Sequence, residues 1–321
     1  MTALETAPLQ TPKSEPAAHM PDFPPTLSAE ARATLAAMAA APPPTEAPDI
    51  QLARVFSEQV QQIVGGEQRK AYAVTVTDDV IASVPVRRIA PAAGSSDPDK
   101  VLLNIHGGGF ATDSGSLTEN IPIAALGQIE VVAVLYRFAP EHPYPTAVDD
   151  VLAVYRALLA THAPEHIAVY GASAGAVIGP QLMMRLRQEG LPLPAALGVF
   201  SGEADLTGTA DSLRIFARAI EGQVLIDAKH AYVGGADPAD PLLSPILGDL
   251  SHFPPTLLIS SGRDVLLSGT VNLHRALGDA GVPAELLVYD ALPHAFWAYI
   301  LAPECDHCFR RMASFLTGKL G

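Results

Sequence analysis

His166-Ile167-Ala168-Val169-Tyr170-Gly171-Ala172-Ser173-Ala174-Gly175 is the stretch on which the fold turns. Its first five residues read as a short β-rich run, and residues 174–187 read as a helix. Gly-Ala-Ser-Ala-Gly therefore falls at a sharp strand-to-helix turn. Glycines at 171 and 175 let neighbouring backbone pass without Cβ clashes, and the serine between them is held strained with its hydroxyl projecting. The helix N-terminus behind it favours developing negative charge. Ser173 is the candidate nucleophile.

Upstream, His106-Gly107-Gly108-Gly109-Phe110 follows the strand-like run 100–105. A glycine run offers backbone N–H groups with no side chains in the way, which an oxyanion requires. The expected donors are the N–H groups of Gly107, Gly108 and Ala174. Downstream of Ser173 stand His230, His252, His274, His294 and His307. His294 lies in a loop just past the β-like run 284–289, where a base belongs; His274 and His307 fall inside helical patterns. The run 256–260 leads into Ser261-Gly262-Arg263-Asp264. Asp264 is the expected acid, with a helix N-cap as its other reading, and Asp290 is the fallback. The chain order Ser, Asp, His matches one of the known arrangements of a nucleophile, its orienting acid and its base.

The segments HGGGF (106–110), YRFAPEHPYPTAVDD (136–150), GASAG (171–175), ADLT (204–207), YVGGADPADPLLSPILGDLSHFPPTLLISSGRD (232–264) and PHAFW (293–297) resemble the bacterial hormone-sensitive-lipase branch of the α/β-hydrolases from about residue 100 to the C-terminus. The resemblance implies an α/β-hydrolase fold: a mostly parallel central sheet flanked by helices, with a helical cap. It also implies serine carboxylesterase activity on short- to medium-chain esters or lactones, through a triad and an acyl-enzyme, without cofactor or metal. Amide or carbamate hydrolysis by the same triad, or a non-catalytic small-molecule receptor on the same fold, are the competing readings. His106, Phe110, Glu203 and Phe296 are candidates for the substrate pocket. Glu203 is read either as a carboxylate at the site mouth or as a solvated loop charge. The chain departs from the family's pattern at Ala172, Ala176, Ser268 and Gly269, and reads Ser201-Gly202-Glu203 where Ser-Pro-Trp is usual.

The rest of the chain fits one α/β unit with a small cap. Residues 1–26, rich in Pro, Thr and Ala, read as a flexible arm. Residues 27–66 read as cap helices: the first covers 27–41, with Ser28 as N-cap and Pro42-Pro43-Pro44 as its stop. The second covers 49–64, ending at Gly65-Gly66, with Leu52, Val55, Phe56, Val60, Ile63 and Val64 as its apolar face. Alternatively the first helix packs on a partner subunit, so a homodimer is a candidate assembly. Residues 67–200 and 233–321 read as the core, and 201–232 as a helical cap insertion. Runs 71–77 and 83–89 are expected as antiparallel edge strands about Asp78-Asp79. Arg137 and Glu141 are expected to pair, with Asp149 and Asp150 as first-turn charges.

A formal net charge of −14 argues against nucleic acid or anionic membrane surfaces as partners and suits a small neutral ester. No run approaches the ~20 apolar residues of a membrane span, and the start lacks a secretory pattern. Cys305 and Cys308 read as two small thiols on an amphipathic helix. They form no disulfide framework, so a cytoplasmic location is expected.

Overall fold

The computed structural model describes residues 23–40, 49–93, 97–216 and 220–321. Its strands are β1 (Val74–Ile81), β2 (Val84–Pro91), β3 (Val101–Ile105), β4 (Glu130–Val134), β5 (Ile167–Ala172), β6 (Ala196–Phe200), β7 (Thr256–Arg263) and β8 (Ala284–Pro293). Its helices are α1 (Ala29–Ala40), α2 (Ile50–Ala71), α3 (Ile121–Gly127), α4 (Thr146–Leu159), α5 (Ala174–Gln188), α6 (Asp211–Phe216), α7 (Ile220–Val233), α8 (Leu267–Asp279) and α9 (Pro303–Gly318). The strands form one sheet in the order β1-β2-β4-β3-β5-β6-β7-β8. β2 runs against both its neighbours, and every pairing from β4 to β8 is parallel.

The inner strands are short and apolar for a reason. β3, β5 and β6 are buried at every position, as strands covered on both faces must be. One face packs on α4, α5 and α8 through Val148, Tyr155, Leu182 and Leu277. The other packs on α1, α3 and α9 through Leu35, Ile121, Phe309 and Leu316. Parallel strands all end at the same edge of the sheet, so the loops after β3, β5, β6, β7 and β8 converge there. In α/β folds that edge is where sites are built.

Three features depart from the expectations. The hairpin turns at Ala82 and Ser83, both with positive φ (49° and 66°), the backbone a two-residue type I′ turn needs. Asp78 and Asp79 instead lie within β1, where they pair across the hairpin with Arg87 at 3.0 Å and Arg88 at 3.3 Å. Second, α2 does not stop at Gly65-Gly66 but runs on to Ala71. A helical glycine costs only about 1 kcal/mol, and Gly65 is buried where a Cβ would touch Ile121 at 3.4 Å. Third, α2 is turned over. Leu52, Val55, Phe56 and Ile63 are exposed, while Gln61 and Gln68 are buried.

Ser28 caps α1 as expected, with Ala31 N–H donating to its Oγ (3.1 Å), and Ser28 Oγ in turn donates to Glu304 of α9 at 2.8 Å. α1 buries Ala31 and Leu35 in the core of its own chain. Of the expected arm, residues 23–26 are tied down. Thr26 Oγ1 donates to Asp290 at 2.6 Å, and the Arg263 guanidinium sits 4.9 Å from the Phe23 ring centre. Residues 1–22 and the Pro42-Pro43-Pro44 stop lie outside the described residues. α6 and α7 occupy the insertion between β6 and β7. Among the described residues no helix is long and apolar enough to cross a membrane.

Candidate active site

Ser173 sits between β5 and α5 at φ 52°, ψ −118°. Such a backbone is strained for any residue with a Cβ, and the two flanking glycines are what make it affordable. A Cβ on Gly171 would lie 2.3 Å from the Gly175 carbonyl, and one on Gly175 would lie 1.7 Å from the Ile105 oxygen. Ser173 is thereby wedged against the end of β3, with the first turn of α5 behind it.

His294 Nε2 lies 2.8 Å from Ser173 Oγ, and His294 Nδ1 lies 2.7 Å from Asp264 Oδ1. A buried carboxylate only accepts, so Nδ1 carries the proton and Nε2 is left to accept from the serine hydroxyl. Asp264 has no exposed surface. Its Oδ2 accepts from Ser260 Oγ at 2.9 Å, and Oδ1 also accepts from Leu266 N–H at 2.9 Å. Burial pushes its carboxyl up, but the facing His294 and the bonds from His294, Ser201 and Leu266 outweigh it and hold the pKa below the usual range. Ser201 Oγ also accepts from Ala295 N–H at 3.2 Å, which anchors the turn that presents the histidine. The alternative reading of Asp264 as a helix N-cap does not hold: Leu266 occupies the N-cap of α8, and the Asp264 carboxylate bonds to the N–H of that residue, ahead of the helix. Ser201 and Ser260 escaped the sequence reading, because serines supporting a triad carry no spacing of their own.

The glycine loop lies beside the nucleophile: a Cβ on Gly107 would sit 3.2 Å from Ser173 Cβ. Gly108 has φ 124°, and a Cβ there would fall 2.0 Å from Thr112 O. One expected donor is corrected. The Gly107 N–H donates to Glu119 Oε1 at 3.2 Å, so it is not free to meet an oxyanion. Among the described residues, the N–H groups of Gly108, Gly109 and Ala174 have no such acceptor. Glu119 is buried, and burial drives its carboxyl from 4.5 up to about 7 against the bonds it accepts from Asn104 and Gly107.

Comparison with known proteins places the chain in a family. The family model described as alpha/beta hydrolase fold matches residues 102–298. The chain belongs to this family. It is 34% identical over 235 residues to an acetyl-hydrolase of Streptomyces hygroscopicus, covering 69% of this chain and 77% of that one. Its fold matches the crystal structure of an esterase E25 with a TM-score of 0.81 and 32% identity, over 96% of this chain and 99% of that one. It also matches an esterase from the bacterial hormone-sensitive lipase family with a TM-score of 0.73 and 28% identity, over 87% and 100%.

In this hydrolase the four pocket candidates are placed inside the protein. His106 is fully buried, stacked on Tyr136 with ring centres 4.4 Å apart, and its Nδ1 meets Gly107 O at 2.7 Å. Phe110 stacks on Tyr232 at 3.9 Å, and Phe296 packs edge-on against Trp297 at 5.0 Å. His106, Phe110 and Phe296 are buried and held by ring packing beside the loops that carry the site. Glu203 is neither solvated nor free: it is buried in an ion pair with Lys229 of α7. Gly269 makes room for it, since a Cβ there would lie 2.4 Å from Glu203 Cβ. Two departures from the family's sequence pattern are therefore one structural feature.

The expected Arg137–Glu141 pair does not form. Arg137 pairs with Asp150 at 2.7 Å, and Asp150 also accepts from the Arg137 N–H at 3.0 Å. Asp150 is thus a buried anchor and not a first-turn charge, while Asp149 pairs with Arg185 at 3.2 Å. Glu141 pairs with Arg54 of α2 at 2.7 Å. Arg54 Nε also donates to Ala111 O at 2.8 Å, Ser57 Oγ to Asp113 O at 2.6 Å, Gln61 Nε2 to Asp113 O at 2.9 Å and Gln68 Nε2 to Thr118 O at 2.9 Å. The polar face of α2 thus clamps the segment that follows the glycines, whose carbonyls would otherwise be buried without donors. That need is why the helix is turned over.

Proposed function

We propose that this carboxylic ester hydrolase cleaves short- to medium-chain esters or lactones through Ser173, Asp264 and His294, with an acyl-enzyme intermediate. The observation that carries the reading is the line from Ser173 Oγ to His294 Nε2 (2.8 Å) and from His294 Nδ1 to Asp264 (2.7 Å). Those are hydrogen-bond distances for proton transfer. The likeness to an acetyl-hydrolase supports a short acyl group.

The steps follow from the geometry. His294 Nε2 takes the hydroxyl proton as Ser173 Oγ attacks the ester carbonyl. Asp264 holds the tautomer and stabilises the imidazolium without taking the proton. The tetrahedral oxyanion is received by the N–H groups of Gly108, Gly109 and Ala174. The last of these belongs to the first turn of α5, whose dipole points the same way. His294 then gives its proton to the leaving alkoxide. Water, deprotonated by the same nitrogen, attacks the acyl carbonyl and regenerates Ser173. Of the two expected N-terminal cap helices we keep only α2, because α1 packs into the core beside α9. We read α2, α6 and α7 as the cap that closes over the acyl group, and α7 reaches the glycine loop, where a Cβ on Gly109 would lie 3.5 Å from Ala228 Cβ.

The test is hydrolysis of p-nitrophenyl esters from acetyl to dodecanoyl, alongside an anilide. The expected result is a short-chain optimum that falls by about 10⁶-fold in Ser173→Ala. Turnover of the anilide in preference to every ester would move the assignment to amide hydrolysis, and unchanged ester turnover in Ser173→Ala would remove the serine from it.

A further inference from the structure

The orientation of the two free glycine N–H groups is set by what holds the peptides around them. In the peptide joining His106 and Gly107, the oxygen accepts from Tyr136 OH at 2.9 Å and the N–H donates to Glu119 at 3.2 Å. In the next, Gly107 O accepts from Ser114 N–H at 3.2 Å and from His106 Nδ1 at 2.7 Å. In the third, Gly108 O accepts from Ala111 N–H at 3.1 Å and Thr112 N–H at 3.0 Å. A trans peptide points its N–H opposite to its C=O. The Gly108 and Gly109 N–H groups are therefore turned away from these anchors.

Among the described residues Glu119 is the charged side chain that accepts from this loop's first N–H, and it is the end of a one-way chain of donors. Tyr170 OH donates to Asn120 Oδ1 at 2.5 Å, Asn120 Nδ2 donates to Asn104 Oδ1 at 2.9 Å, and Asn104 Nδ2 donates to Glu119 Oε2 at 3.3 Å. Asn104 lies on β3 and Tyr170 on β5, the two strands that carry the glycine loop and the nucleophile. Ionised, as it is above about pH 7, the Glu119 carboxylate accepts at both oxygens without donating at either, which is what a terminus between two donors requires. The chain also makes space for it: a Cβ on Gly115 would lie 1.9 Å from Glu119 Oε1.

We infer that Glu119 is the positioning residue of the oxyanion hole, fixing the Gly107 peptide and through it the aim of the Gly108 and Gly109 N–H groups beside Ser173. It touches no reacting atom; it acts through the loop. The inference rests on the ester-hydrolase reading above. It places the demand for Glu119 in the transition state, where the oxyanion exists, and not in ground-state binding.

The experiment compares wild type, Glu119→Ala, Glu119→Gln and Gly115→Ala. kcat and KM are measured on p-nitrophenyl acetate, the affinity of phenylboronic acid, a tetrahedral mimic on Ser173, by calorimetry, and folding by circular dichroism. Glu119→Ala is expected to lower kcat by about 100-fold, the cost of a small misplacement, with KM within about twofold. The boronate should lose affinity in parallel. Glu119→Gln keeps an acceptor for Gly107 but meets Asn104 Nδ2 with a donor, so it should recover most of kcat. Gly115→Ala leaves the carboxylate in the chain and displaces it, and it should show the same split should Glu119→Ala fail to fold. Unchanged kcat and boronate affinity in folded Glu119→Ala, or a loss carried by KM alone, would overturn the inference while leaving the esterase reading intact. A wild type inactive on the ester would sink that reading instead, and the boronate comparison would still decide the role of Glu119.

Discussion

Glu119 carries a thermodynamic cost that only its position explains. Its carboxyl titrates at about 7 in the folded chain against an ordinary 4.5, chiefly through burial, with Asp113 pushing the same way and His294 opposing. A raised folded pKa means that the native state holds the proton more tightly than the unfolded chain. This stability is complete below about pH 4 and is lost as pH rises through about 7, some 3 kcal/mol in all. Urea unfolding at pH 5.5 and pH 8 should show wild type weaker at the higher pH by this route. Glu119→Gln, which cannot titrate, should lose that component, and an identical pH dependence in both proteins would contradict the assignment. Asp264 is the opposite case. It too is fully buried, yet three donors and the facing His294 keep it ionised, so two buried carboxylates in one site have separate environments and separate roles.

At the scale of elements, α2 shows how periodicity can be read correctly and oriented wrongly. Leu52, Val55, Phe56 and Ile63 do form one face, but it is exposed. Apolar periodicity names a stripe; it does not say which stripe meets the body of the protein when the facing surface is a row of carbonyls. Ala111, Asp113 and Thr118 present such a row, and Arg54, Ser57, Gln61 and Gln68 answer it. Two substitutions separate the faces. Phe56→Ser, on the exposed side, should change unfolding free energy by no more than about 0.5 kcal/mol. Gln61→Ala should cost about 1–3 kcal/mol, because it strands the buried Leu117 N–H that donates to Gln61 Oε1 at 2.9 Å and leaves Asp113 O with Ser57 Oγ as its remaining donor. Equal losses would mean that the helix packs by its apolar face after all.

Across the whole molecule, the buried Glu203–Lys229 pair joins the loop after β6 to α7, and thus the sheet to the helices above the glycine loop. Breaking a buried pair costs far more than its formation gains, so whatever shifts Glu203 should loosen α7. Two glycines of α8 offer the test. A Cβ at 269 would lie 2.4 Å from Glu203 Cβ, whereas one at 278 meets nothing within 4 Å. Gly269→Ala should destabilise by about 1–3 kcal/mol through overpacking. Gly278→Ala should stabilise by up to about 1 kcal/mol through reduced unfolded-state freedom. Thermal unfolding of the two variants reads both signs, and a neutral Gly269→Ala would show that Glu203 is free to move. The same strand-end geometry gathers Ser173, Asp264 and His294, which lie on three different loops, into one hydrogen-bonded line.

Residues whose role depends on local backbone were legible from the chain alone. Gly171 and Gly175 around Ser173, the glycines after β3 and the short runs of β3, β5 and β6 are local: a strand buried on both faces must be apolar, and a strained turn must be spared Cβ atoms. The order of Ser173, Asp264 and His294 was legible too, because parallel strands deliver their loops to one edge. What the tertiary structure decided were the partners of polar groups. Arg137 chose Asp150 over Glu141, Arg54 reached Glu141 from a distant helix, Gly107 gave its N–H to Glu119, and Glu203 found Lys229. Hydrogen bonds and ion pairs act over a few ångströms in space without regard to separation along the chain, so composition and periodicity could not rank the partners. Folding could, because each buried polar group had to be satisfied by whatever lay beside it.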